Sequence, residues 1–254
     1  MAAGMIPTWL EAGLWGLLGG AALVIGAAVA WWIPVRRSIV AAIMAFGAGV
    51  LISALAFDLV AEAADNAGVG PTTIGFLGGA VVYVLANVAL DRRGARHRKR
   101  AGDEQPSERQ QGGSGMAIAV GALLDGIPES VVLGVSLLGG AQVSTAVIAA
   151  VFISNIPEGL SSAAGMKAAG RSARYVFGVW GGIAIASGVA ALVGYAVLGG
   201  ASATVLAVIT AVAAGAMLTM IADTMIPEAF ARTQILTGLV TSLGFLTAFA
   251  IHRA

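Results

Sequence analysis

The sequence predicts an all-α polytopic membrane protein with eight transmembrane helices. Three observations carry the prediction: an apolar composition, an alternation of basic residues between loops, and a set of internal repeats. Of 254 residues, 58% are hydrophobic and 11% are charged, and the mean hydropathy is +0.91. A soluble domain of this length is not so apolar. The chain has no cysteine, which excludes disulfides and thiolate ligands and leaves oxygen, nitrogen and thioether groups for any metal site.

Eight apolar segments follow one another at approximately 11–33, 38–63, 71–90, 115–138, 142–166, 174–198, 202–230 and 234–252. Several exceed the roughly 20 residues that cross a bilayer core, so tilt or kinks are expected. No Lys or Arg precedes the first segment, so it reads as the first span and not as a cleavable signal peptide. Arg36 and Arg37 follow that span. Arg92, Arg93, Arg96, Arg98, Lys99, Arg100 and Arg109 follow the third, Lys167, Arg171 and Arg174 the fifth, and Arg232 the seventh. The loops near 64–70, 139–141 and 199–201 have no basic residue. With both termini outside the cytoplasm, this alternation obeys the positive-inside rule for every basic residue except Arg253.

The whole chain, 1–254, reads as a single transmembrane domain. Residues 91–114 form its one long polar stretch, basic at first and then rich in Glu, Gln, Ser and Gly. A flexible cytoplasmic loop is expected there, with its basic run as an orientation signal and a solvated His97. Contact of that run with anionic lipid is the second reading.

Two repeats organise the helices. Phe46–Ala63 matches Val212–Ala229 in its early small residues, in Ser53 with Thr219, and in Glu62-Ala63 with Glu228-Ala229. Asp125-Gly-Ile-Pro-Glu129-Ser in the fourth span matches Ser154-Asn-Ile-Pro-Glu158-Gly in the fifth. In both cases the matched spans are separated by an odd number, so they cross the bilayer in opposite directions. Inverted repeats are expected, spans 1–3 against 6–8 and span 4 against span 5, an arrangement many transporters share.

The Ile-Pro-Glu copies carry the chemistry. Pro128 and Pro157 each remove an N–H and free a carbonyl four residues earlier, those of Leu124 and Ile153. Within a membrane such carbonyls need another partner. Asp125 with Glu129, and Ser154 with Glu158, are four apart and share a helix face. Asp125, Glu129, Glu158, Ser154 and Asn155 therefore make an oxygen-rich, negatively charged set suited to a divalent cation. Asp58 and Glu62 in the second span, and Asp223 and Glu228 in the seventh, are candidate way-stations, with Asp58 and Asp223 a turn deeper. No Lys or Arg lies in the inner part of an apolar segment, so these carboxylates are expected to be protonated or to meet a mobile cation. Met217, Met220 and Met225 are expected to pack. Gly16 with Gly20, Gly75 with Gly79, and Gly178 with Gly182 permit close helix packing within or between protomers.

This pattern resembles the ZIP (Zrt-, Irt-like protein) family of divalent metal transporters. The resemblance covers eight spans, outward termini, a long loop after span three, and proline-glutamate motifs in spans four and five. It implies a primary metal site at Asp125, Glu129, Ser154 and Glu158, with Asn155 bordering a second, and Asp58, Asp223 and Glu228 along the pathway. Three departures stand out. Asp125 replaces the usual span-four histidine, Gly126 its asparagine neighbour, and Ile185 the glutamate of a span-six motif. Loss of imidazole shifts the ligand set toward oxygen, so Mn²⁺ and Fe²⁺ join Zn²⁺ as expected cargo.

The expected function is secondary transport of divalent cations toward the cytoplasm by a homodimer in a bacterial inner membrane. The expected partners are lipid and metal ions, with no nucleic acid and no enzymatic activity. The alternatives are a ZIP-like protein that binds or senses metal without transport, and an intramembrane acid–base enzyme. The second lacks the Gly-x-Gly-Asp setting of an aspartyl protease.

Overall fold

The computed structural model describes residues 6–95, 98, 105, 107, 110, 114–138 and 145–253. His97 and most of the polar stretch lie outside the described residues. Every described element is helical. Helix α1 spans Thr8–Trp32 and stops where Pro34 cannot continue it. Helix α2, Arg37–Ala54, passes through a π-helical segment at 55–60 into α3, Ala61–Ala67. Gly68, at φ 83°, breaks the chain before α4, Val69–Leu90, using a backbone region that favours glycine. A second π-helical segment covers 91–95.

Helices α5, Ser114–Val135, and α6, Thr145–Ala168, carry the two Ile-Pro-Glu copies. Gly170, at φ 77°, ends α6 with a bond from the Arg171 N–H to the Met166 carbonyl. Ser172 then caps α7, Ala173–Leu198, and Ser202 caps α8, Ala203–Met220. A π-helical segment at 221–225 leads into α9, Ile226–Thr233, and a 3₁₀ turn at 234–236 into α10, Thr237–Arg253.

Among the described residues, seven helical runs are long and apolar enough to cross a membrane. The seventh, Ala203–Arg253, has 51 residues, about 76 Å if it were straight, far more than a hydrocarbon core of about 30 Å. It is not straight. Ala63 packs with Ala207 and Ala211, whereas α2 lies against α9, so the α2–α3 line runs antiparallel to α8–α9. Gly49 of α2 faces Thr241, and further along Asp58 meets His252, so α10 runs parallel to α2. Helix α10 therefore reverses against α8–α9, and the chain folds back at Gln234, whose φ of 45° is the one positive value among described non-glycine residues. The expected seventh and eighth apolar segments are thus two helical stretches joined by a 3₁₀ turn, with the reversal between them.

The helices meet at glycines. On one side of the bundle, a Cβ at Gly49 would lie 1.9 Å from the Thr241 carbonyl oxygen, and one at Gly244 would lie 2.0 Å from that of Phe46. On the other side, a Cβ at Gly215 would lie 1.9 Å from the Phe76 oxygen, and one at Gly79 1.9 Å from that of Val212. Phe46 and Gly49 are matched by Val212 and Gly215 in the sequence alignment of the two segments. The matched segments also carry matched π-helical segments, beginning at Leu55 and Ile221. Gly16 and Gly20 pack α1 onto Ser187 and Ala184 of α7, while nothing lies within 4 Å of a Cβ at Gly178 or Gly182.

The outer faces suit lipid. Ile74, Leu77, Val81, Val82 and Leu85 leave one side of α4 exposed and apolar. At the end of the bundle holding Arg36, Lys167 and Arg171, Trp32 stacks on Phe177 at 5.2 Å, and Lys167 donates to the Trp31 carbonyl at 2.6 Å. Aromatic and cationic side chains of this kind belong at a membrane–water boundary.

Candidate metal site

Helices α5 and α6 remain helical through Pro128 and Pro157. Serine hydroxyls bond within the same turns. Ser130 donates to the Gly126 carbonyl at 2.7 Å and Ser154 to that of Val151 at 3.0 Å, each acceptor two residues from the carbonyl that proline frees. All five residues expected to hold a metal are buried: Asp125 at 1% exposure, Glu129 at 3%, Ser154 at 0%, Asn155 at 4% and Glu158 at 3%. The Asn155 amide donates to the Gly19 carbonyl of α1 at 3.0 Å. The missing side chain at Gly47 lets α2 approach Ser154 and Pro157.

A cation already sits in this group. Arg98, from the polar stretch, is only 2% exposed. Its Nε donates to Asp125 Oδ2 at 3.0 Å and its Nη2 to Oδ1 at 2.9 Å, a two-pronged contact. Nη1 donates to Asn87 Oδ1 at 2.8 Å and Nη2 also to the Tyr83 hydroxyl at 3.0 Å. That hydroxyl in turn donates to Asp125 Oδ1. Gln105 ties the segment down, its amide donating to the Arg98 carbonyl at 2.8 Å and to the Ser162 carbonyl of α6 at 3.1 Å. Burial works against a charged guanidinium, but the Asp125 carboxylate beside it more than offsets that, with Tyr83 and Glu158 adding to the effect. Arg98 is therefore held charged, above its ordinary range.

This corrects the reading of an acidic interior without a fixed basic partner. Span assignment from hydropathy leaves Arg98 in a run of basic loop residues and cannot single it out. Burial of Arg98 and Gln105 also departs from a fully solvated loop. Two features of the sequence could have found the pair: an aspartate at position 125 can accept both prongs of a guanidinium, and Tyr83 and Asn87 place polar groups four apart within an apolar span.

Among the described residues, no three His, Asp or Glu side chains stand close enough together to hold a metal ion. Asp125, Glu129 and Glu158 share the bundle interior without forming a three-carboxylate cage while Arg98 engages Asp125. The donor set itself, carboxylates with serine and asparagine oxygens, suits a hard or borderline divalent cation.

The expected way-stations separate by burial. Glu228 is 5% exposed and accepts from the Ser161 hydroxyl of α6 at 3.3 Å. Asp223, which lies deeper in its segment, is exposed. Burial thus follows the motif, since Ile226-Pro227-Glu228 is a third Ile-Pro-Glu copy. Asp58 is buried and meets His252 Nδ1 at 2.9 Å, a partner the sequence did not indicate because it depends on α10 running beside α2. Glu62 is exposed. Met217, Met220 and Met225 pack in the main hydrophobic core, as expected.

Comparison with models of protein families and with curated proteins finds no match for this sequence.

Proposed function

We propose that this protein is a ZIP-like secondary transporter that moves divalent metal cations toward the cytoplasm through the Asp125, Glu129, Ser154, Asn155 and Glu158 group. The observation that carries the reading is the burial of three carboxylates on two proline-containing helices of membrane-spanning length. Carboxylates are costly in a membrane interior and are retained there mainly for ion handling. The reversal at Gln234 supports eight crossings. The matched glycine contacts and π-helical segments support inverted repeats of spans 1–3 with 6–8, and the paired motifs support span 4 with span 5. In this reading the cation passes Asp58 on the extracytoplasmic side, binds between α5 and α6, and leaves past Glu228, with Asp223 at the margin of that path.

The cargo would be Zn²⁺, Fe²⁺ or Mn²⁺, and the working unit a homodimer in a bacterial inner membrane with both termini outside. The test is metal uptake by proteoliposomes containing the full chain. Glu129→Ala and Glu158→Ala are expected to abolish uptake of Mn²⁺ and Zn²⁺, and undiminished uptake in both would sink the site assignment.

The Arg98–Asp125 pair favours a second reading, a ZIP-like protein in which the guanidinium permanently replaces the metal and no cation crosses. Metal binding without uptake in the same vesicles would select it. An acid–base enzyme draws no support, because Asp125 is buried against Arg98 while Asp223 is exposed.

A further inference from the structure

We propose that Arg98 is the affinity-determining residue of this site: its guanidinium and a divalent cation take Asp125 in alternation, so that the cation binds there only after Arg98 has left. The inference rests on the metal-transport reading above and adds the competitor that controls it.

Both oxygens of Asp125 are engaged. Arg98 donates one N–H to each at 3.0 and 2.9 Å, and the Tyr83 hydroxyl donates to Oδ1 as well. A carboxylate offers about four acceptor positions, and these contacts take at least three of them. A divalent ion on the same carboxylate would sit against a positive charge already bound to it. Shared occupancy is therefore strongly disfavoured.

Arg98 is also the one buried Lys or Arg among the described residues, and it comes from outside the spans. A basic residue built into a helix could not withdraw without unfolding its span. Arg98 lies in the polar stretch, so its withdrawal need not unfold a span. Gln105 links the Arg98 carbonyl to that of Ser162, on the helix that carries Glu158. The seated guanidinium also lies within the field of Glu158, so its departure changes the charge felt by both helices of the site. Aspartate at position 125 then has a reason that histidine does not share, since only a carboxylate serves a guanidinium fork and a divalent cation equally well.

If the Arg98-free state makes up about one tenth of the population, the apparent affinity for metal is lowered about tenfold, and removing Arg98 restores it. Mn²⁺ binding by the purified full chain, measured by titration calorimetry, reads this directly. Arg98→Met should tighten binding about tenfold or more, and Arg98→Lys, which keeps the charge but loses the fork, should fall between Arg98→Met and the natural protein. The chain has no cysteine, so Gln105→Cys with Arg98 retained provides an independent reporter, and Mn²⁺ should raise its labelling by a maleimide. Unchanged Mn²⁺ affinity in Arg98→Met, with binding still lost in Glu129→Ala and Glu158→Ala, overturns the competition and leaves the transport reading standing. Mn²⁺ binding that survives both glutamate substitutions overturns the transport reading, and this inference with it. Should Arg98→Met fail to fold, Gln105→Cys decides alone, and labelling indifferent to Mn²⁺ overturns the proposal.

Discussion

Arg98 and Asp125 meet through two hydrogen bonds inside the helix bundle, both side chains at 1% exposure or less. A residue of the polar stretch is thereby buried beside the acidic motif of α5. Asp125→Asn removes the negative charge and one of the two acceptor oxygens and leaves the buried guanidinium without its counter-ion. The expected cost in stability is about 3–5 kcal/mol, the range for removing one partner of a buried ion pair. An Arg98→Met, Asp125→Asn double variant should cost less than the sum of its single changes. Thermal unfolding of the detergent-solubilised protein reads all three, and additive losses would mean that the two residues act independently.

Helix packing should be sensitive to glycine at matched positions and indifferent beside them. A side chain at Gly79 or Gly215 would collide with backbone oxygen on the facing helix, whereas nothing lies within 4 Å of a Cβ at Gly78. Gly79→Leu and Gly215→Leu are each expected to destabilise by about 3 kcal/mol or more, at the upper end of overpacking costs. Gly78→Leu should leave the unfolding temperature nearly unchanged. Equal effects at positions 78 and 79 would contradict the close approach of α4 and α8.

Glu228 and Asp223 should behave differently although both lie in the same helical run. Glu228 is buried and bonded to Ser161, and Asp223 is exposed. Proteoliposome uptake of Mn²⁺ should fall about tenfold or more in Glu228→Gln and stay within about twofold in Asp223→Asn, a difference of roughly 1 kcal/mol or more in the barrier to transport. The reverse order would move the exit path to the other face of α9.

The reversal at Gln234 predicts an accessibility pattern. Single cysteines placed at Ser172 and Gln234, both exposed, should react with a membrane-impermeant maleimide from one side of sealed vesicles. Cysteines at Asn66 and Ser202, also exposed, should react from the other. Labelling of Gln234→Cys on the same side as Ser202→Cys would rule out a crossing between them.

Much of the architecture was legible from the sequence because it depends on local composition. Apolar length, proline and basic residues act within one segment, and they located the helices to within a few residues. The segments 46–63 and 212–229 match in sequence, and each carries a close glycine contact and a π-helical segment at the same place. Burial of Asp125, Glu129, Ser154, Asn155 and Glu158 was likewise expected from their place in apolar spans. The fold-back at Gln234 was partly legible, since Arg232 marked a boundary between two apolar segments that helical geometry alone would have joined.

Local composition and spacing dictate a helical chain with carboxylates in apolar segments and a paired acidic motif on α5 and α6. The partners those carboxylates meet follow from the packing of distant helices. Arg98 is 27 residues from Asp125 in the chain, His252 is 194 from Asp58, and Ser161 is 67 from Glu228. Such contacts depend on how helices are directed and packed, which hydropathy does not encode. The physical reason is the strength of electrostatic interaction in a low-dielectric interior. A single guanidinium drawn from a polar stretch can change the charge and ligand capacity of the whole site, while leaving the apolar pattern that places the helices untouched.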